Sequence, residues 1–247
     1  GVRQHSRYED DPLGRLSGTI RWLTVTTFGS HESVALEAGR VNRMHQKVVG
    51  EYTTAERQQR PYRAADPDLL LWVHVAFMDS FLRAHQNYSR APIPGGADEY
   101  VRLWAKSVEP LGLDSRGPNT QAPDSGESDS RHDLVMRVPH SEAELQQTLA
   151  EFDSQLVVNQ ETLDVIHWIR RAPLPPITKP IYALLFQSAL ASLPKNYRDR
   201  IGLKSAPIWL LRPITRNLLW IMRIAIGPES PIEDAARARL KRAGVFG

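Results

Sequence analysis

Apolar positions along this chain recur at steps of three and four residues far more often than at steps of two, which predicts helices rather than strands. Leu16, Ile20, Leu23 and Thr27 form one such series, closed by Gly29. Ser30 is placed as the next N-cap, with Glu32 in the first turn. Val34, Ala38, Val41, His45 and Val48 then share one face up to Gly50. Residues 51–65 are polar and read as a loop. Asp66-Pro67 opens another helix, and its run from Leu69 to Met78 is apolar on every side, the pattern of a bundle centre.

Past the breaker at 91–96, a short helix is predicted over 98–109. Ser141 and Glu144 form a capping box ahead of Leu145, Leu149 and Phe152. Helices follow over 162–171 and 181–193, then a long apolar segment over 208–226 that Pro213 is expected to break or bend. A basic helix over 231–244 ends the chain. Period-two alternation flanked by turns is nearly absent, and no internal repeat is visible. The expected fold is all-α: one multi-helix domain over residues 1–247, of about eight to ten helices around a central apolar pocket. Residues 114–133 collapse to Ser, Gly, Pro, Asn and Asp and are expected to form a mobile surface loop.

Composition narrows the chemistry. Of 247 residues, 41% are hydrophobic and 24% charged, enough apolar material to exclude disorder of the whole chain. The absence of cysteine excludes disulfides, thiolate catalysis, iron–sulfur clusters and Cys-type zinc sites. A net charge of +3, mixed along the chain, makes no case for nucleic acid as a partner. Residues 1–11 lack the apolar core of a signal peptide. The most apolar segment, 208–226, carries Arg212, Pro213, Arg216, Asn217 and Arg223 and is not a transmembrane span. A cytoplasmic location is the expectation.

HExxH, HxH, the Walker loop, GxGxxG and GxSxG are all missing. What remains is histidine and arginine on apolar helices. His45 lies on its helix's apolar stripe, where an imidazole either finds a hydrogen-bond partner in the core or ligates something bound there. His74 is enclosed between Val73 and Val75, on a stripe with Met78, Phe81 and His85. Arg15 and Thr19 stand one turn apart with Trp22 on the next turn. They are placed to hold a carboxylate or bound oxygen, or to pair with a nearby acid. Trp209, Leu210, Leu211, Trp220, Ile221 and Ile224 form a further stripe, flanked by Arg212, Arg216 and Arg223. It suits a core helix with outward arginines, or a helix resting on a membrane surface. The basic final helix, with Arg237, Arg239, Lys241 and Arg242, allows the same peripheral contact.

Taken together, His5-Ser6-Arg7-Tyr8-x-x-Asp11-Pro12-Leu13-x-Arg15-x-x-x-Thr19, Thr27-Phe28-Gly29, Val41-x-x-Met44-His45-x-x-Val48-x-Gly50 and Tyr62-x-Ala64-x-Asp66-Pro67-x-Leu69-Leu70-x-Trp72-Val73-His74 resemble the MpaB/latex-clearing-protein oxygenase family, common in actinobacteria. The match is dense over residues 5–104 and looser from Val138 onward. The resemblance implies an all-α fold around one b-type haem with a histidine as proximal iron ligand. It places His45 in that role, with His74 in the pocket wall and as the alternative ligand. Arg15 and Thr19 match the family's pocket motif, against a haem propionate or on the oxygen side. Trp22, Trp72, Val73, Met78 and Phe81 would wall the pocket.

The implied function is a haem b-dependent oxygenase acting with O2 on an apolar, olefinic or lipid-like substrate. The rivals are a haem-free helical binding module for an apolar ligand and a degenerate structural relative. Two departures stand out. The rubber-cleaving branch carries a Lys just before the motif's Thr, where this chain has Gly18. Relatives also have an apolar helix ahead of the equivalent of Gly1, and the latex-clearing branch takes from it an acid proposed as catalytic base. The expectation is that this sequence begins after that helix. No oligomeric state is implied.

Overall fold

The computed structural model describes residues 11–53, 59–113, 138–227 and 231–244. Residues 1–10 and the segment 114–133 predicted as a mobile loop lie outside those residues.

Short polar side chains start the helices where the sequence places them. Asp11 accepts the Gly14 N–H at 2.9 Å and opens α1 (Pro12–Phe28), with Pro12 at the first helical position. Ser30 accepts the Ser33 N–H at 3.2 Å and opens α2 (His31–Lys47). Beyond α2 the predicted polar loop is instead an antiparallel hairpin, β1 (Val49–Thr53) with β2 (Gln59–Arg63), in which Gly50 pairs with Tyr62. Of the β2 side chains whose burial is described only Tyr62 is buried, so the strand lacks the alternation that marks one in sequence. Pro61 is tolerated because a two-stranded sheet consists of edges.

Helix α3 (Pro67–Tyr88) runs through the centre. Its N-cap carboxylate, Asp66, accepts from the Arg63 N–H at 2.9 Å and ties the hairpin to the helix start. Leu71, Val75, Met78 and Leu82, at steps of four, three and four, are the side it buries. Burial on every side, expected from the apolar run, does not hold: Val73 is 50% and Phe81 39% exposed. Gly95, at φ 75°, turns the chain into α4 (Gly96–Ala105), which tightens into a 3-10 turn over Lys106–Leu111. Ser141 caps α5 (Glu142–Asp153) by accepting the Glu144 N–H at 3.2 Å. The Glu144 carboxylate reaches back to the His140 N–H, one residue earlier than in the usual capping box.

The second half continues with α6 (Gln160–Arg170), α7 (Lys179–Ser192), α8 (Lys195–Arg200), α9 (Ile208–Ile226) and α10 (Pro231–Arg242). Helix α9 is continuous through Pro213, against the expectation of a break. The all-α expectation holds: the described residues form ten α-helices and one hairpin.

Side chains of α3, α4 and α5 fill the centre, with Val75, Met78, Val101, Ala105 and Leu145 fully buried. Each large one contributes roughly 2 kcal/mol through removal from water. The Tyr88 hydroxyl donates to the Ser188 carbonyl at 2.6 Å, and Ser188 Oγ meets Thr215 Oγ1 at 2.6 Å, pinning α7 and α9 to α3. Helices α1, α2 and α10 form an outer layer: α1 packs on α2 and α10, and α2 meets the 3-10 turn. Among the described residues no helix is long and apolar enough to cross a membrane.

Candidate functional site

The outer layer carries four of the five residues singled out from sequence: Arg15, Thr19 and Trp22 on α1 and His45 on α2. Arg15 and Thr19 lie one turn apart on α1, and the Arg15 guanidinium donates to Thr19 Oγ1 at 2.5 Å. That bond occupies one acceptor site of the hydroxyl, and its return contact to the Arg15 carbonyl is long, 3.5 Å. The Thr19 O–H is therefore available to an incoming acceptor, and Arg15 keeps a cationic fork with further N–H groups.

His45 comes from the last turn of α2. Its Nδ1 is buried and has no hydrogen-bond partner. Burial holds its pKa below the ordinary imidazole value, and the Arg15 charge pushes in the same direction. The ring is thus neutral at neutral pH, the form that ligates metals. The packing of α1 on α2 brings Arg15 close enough for its charge to act on His45. Trp22 is half-buried on α1, one turn beyond Thr19.

His74 belongs to a different environment. It is buried on α3, its ring centroid 6.3 Å from that of Trp104, in an aromatic cluster with Phe77, Phe81 and Tyr100. Burial depresses its pKa to about 3. His74 Nε2 and Trp104 Nε1 are both buried without partners. The indole N–H is a fixed donor, while Nε2 of a neutral imidazole accepts or donates according to the tautomer.

Some residues of consequence were not legible in sequence. Trp104 meets His74 only through the packing of α4 on α3. Glu37, with its side chain 2% exposed, is held by Arg40 at 2.6 Å and by Arg21 at 3.0 Å. These bonds, Arg40's foremost, keep its carboxyl below the usual range despite burial. The spacing of Glu37 and Arg40 is a readable helix pair, whereas Arg21 arrives from α1. Glu37, Arg21, Arg40 and Arg43 line an open concavity of about 410 Å³ between α1 and α2.

The donor set can be tested against haem. Among the described residues no group of three His, Cys, Asp or Glu side chains could hold a metal ion. An iron here would need to bring donors of its own, as a porphyrin does, and ask the protein for one axial imidazole. The neutral His45 ring, Arg15 as a carboxylate partner, and the exposed apolar side chains of Leu16, Ile20 and Met44 fit those needs. At Gly18 a Cβ would meet nothing within 4 Å, so this part of α1 is open. His74 fits less well, because its ring is already covered by the core.

No curated protein and no solved structure gives a significant match to this chain. Residues 1–225 of the 247 match the family described as ER-bound oxygenase mpaB/B'/Rubber oxygenase, catalytic domain, and the chain belongs to that family of oxygenase domains.

Proposed function

We propose that this protein is a haem b-dependent oxygenase that uses O2 to oxidise an apolar, olefinic or lipid-like substrate. Bound haem would supply the iron at which dioxygen is activated. The single observation that carries the reading is the His45 imidazole, with a buried, unpartnered nitrogen, kept neutral by burial and by Arg15. It offers a lone pair where no protein group uses one.

The roles of the other side chains follow from their chemistry. Arg15 would hold a propionate carboxylate through its remaining N–H groups. Thr19, fixed by Arg15 at 2.5 Å, presents its hydroxyl proton to an oxygen atom on the same side. Trp22 and the apolar side chains of α1 offer an apolar surface that favours a substrate without charge. Gly18 leaves space beside Thr19 for the substrate to approach. His74 lines the aromatic interior next to Trp104 and positions the wall through packing.

Haem titration followed in the Soret region tests this. A saturable one-to-one band is expected for the natural sequence and for His74→Ala, and loss or a strong shift of the band for His45→Ala. No band for the natural sequence overturns the reading. If apolar ligands still bind in that case, the haem-free binding module takes its place.

A further inference from the structure

Helix α9 presents three surfaces in three directions. Leu211 and Thr215 are buried against its neighbours α3 and α7. On the opposite side Trp209, Leu210, Ile214, Trp220, Ile221 and Ile224 are between 44% and 74% exposed. Between these faces the helical period aligns Arg212, Arg216 and Arg223 in one row, at steps of four and seven.

Part of that row lines a hollow of about 280 Å³, formed by Arg90, Arg212, Pro213, Arg216 and Asn217. Arg90 donates to Asn217 Oδ1 at 2.5 Å and lies 4.8 Å over the Trp220 ring. Arg212 donates to Asn87 Oδ1 at 2.9 Å. Arg216 Nε is buried and has no hydrogen-bond partner. Among the described residues the contacts on Arg90 and Arg212 are neutral amides and an aromatic face, which orient the charges without neutralising them. No Asp or Glu occurs anywhere in residues 201–228.

Two oriented guanidiniums and a third with a buried, unpartnered nitrogen, around one hollow, match a phosphate oxyanion. The adjoining row of apolar side chains, with a tryptophan near each end, has the form of a helix lying in a bilayer interface. We infer that α9 anchors the protein to a membrane surface: the arginine hollow takes the phosphate of an anionic phospholipid, and the apolar row enters the acyl boundary. A soluble oxyanion accounts for the hollow and leaves the apolar row unexplained. A second copy of this chain accounts for the row, yet brings three more guanidiniums and no acid from α9 to meet them. The inference is independent of haem binding.

Co-sedimentation of the full chain with phosphatidylcholine vesicles, and with vesicles in which one lipid in three is phosphatidylglycerol, tests it. Binding is expected to the anionic vesicles only, weakened by salt and accompanied by a blue shift of tryptophan emission. The pair Arg212→Gln and Arg216→Gln should lower partitioning about 30-fold, each charge near an anionic surface contributing about fivefold. Trp209→Ser, at a position 74% exposed, should weaken binding with helical circular dichroism unchanged. Equal binding to both vesicle types, or binding indifferent to these substitutions, overturns the anchor. So does calorimetric binding of inorganic phosphate, or self-association through α9, with no capture by vesicles.

Discussion

His74 illustrates what burial does to a single ionisable ring. Its pKa is pushed from 6.5 to about 3 by desolvation. Above pH 6.5 it is neutral in both folded and unfolded chains and stability is indifferent to it. Between that value and about 3 only the unfolded chain takes up the proton, so stability falls as pH falls. By pH 5 the loss is about 2 kcal/mol. Thermal melts at pH 7 and pH 5 should show the drop, and His74→Phe should flatten the profile between them. An unchanged slope in that variant would assign the acid sensitivity to other groups, His45 first. The position of Arg15 over Thr19 was readable from a spacing of four. The encounter of His74 with Trp104 was not, because thirty residues and a turn of chain separate them in sequence.

Helices were legible where a cap and a periodic face agreed. Ser30 and Ser141 each predicted a helix start that the hydrogen bonds bear out, whereas the cap that Asp11 forms on Gly14 was not read from the sequence. The hairpin was missed because its strands expose most of their described side chains and carry Pro61, so neither alternation nor a turn dipeptide marks them. The continuity of α9 was missed for another reason: Pro213 removes one hydrogen bond, and α9 gains enough from packing on α7 to carry the loss. Helix α5 depends on its buried positions. Leu145 is fully buried between α3 and α4, and Leu145→Ala should cost about 3 kcal/mol through lost transfer energy and an unfilled cavity. Denaturant titration would show this as a lower midpoint at unchanged slope, whereas Leu13→Ala, 66% exposed on α1, should shift it little.

Across the whole molecule, the apolar surface is divided unevenly. The densely packed centre involves α3, α4 and α5, while α1 and α2 leave Leu13, Leu16, Ile20, Leu36 and Met44 largely exposed. The all-α architecture was readable because helical periodicity is a local property repeated along the chain. Which faces remain uncovered depends on how helices far apart in sequence pack, and no periodicity encodes that. The connection of α2 to the interior has a dynamic consequence. It meets the central helices largely by way of the short 3-10 segment Lys106–Leu111, itself a strained kind of turn. Amides of α1 and α2 should therefore exchange with deuterium through small local openings, well before those of α3. A layer of helices held by so narrow a contact can part from the centre while the centre stays folded.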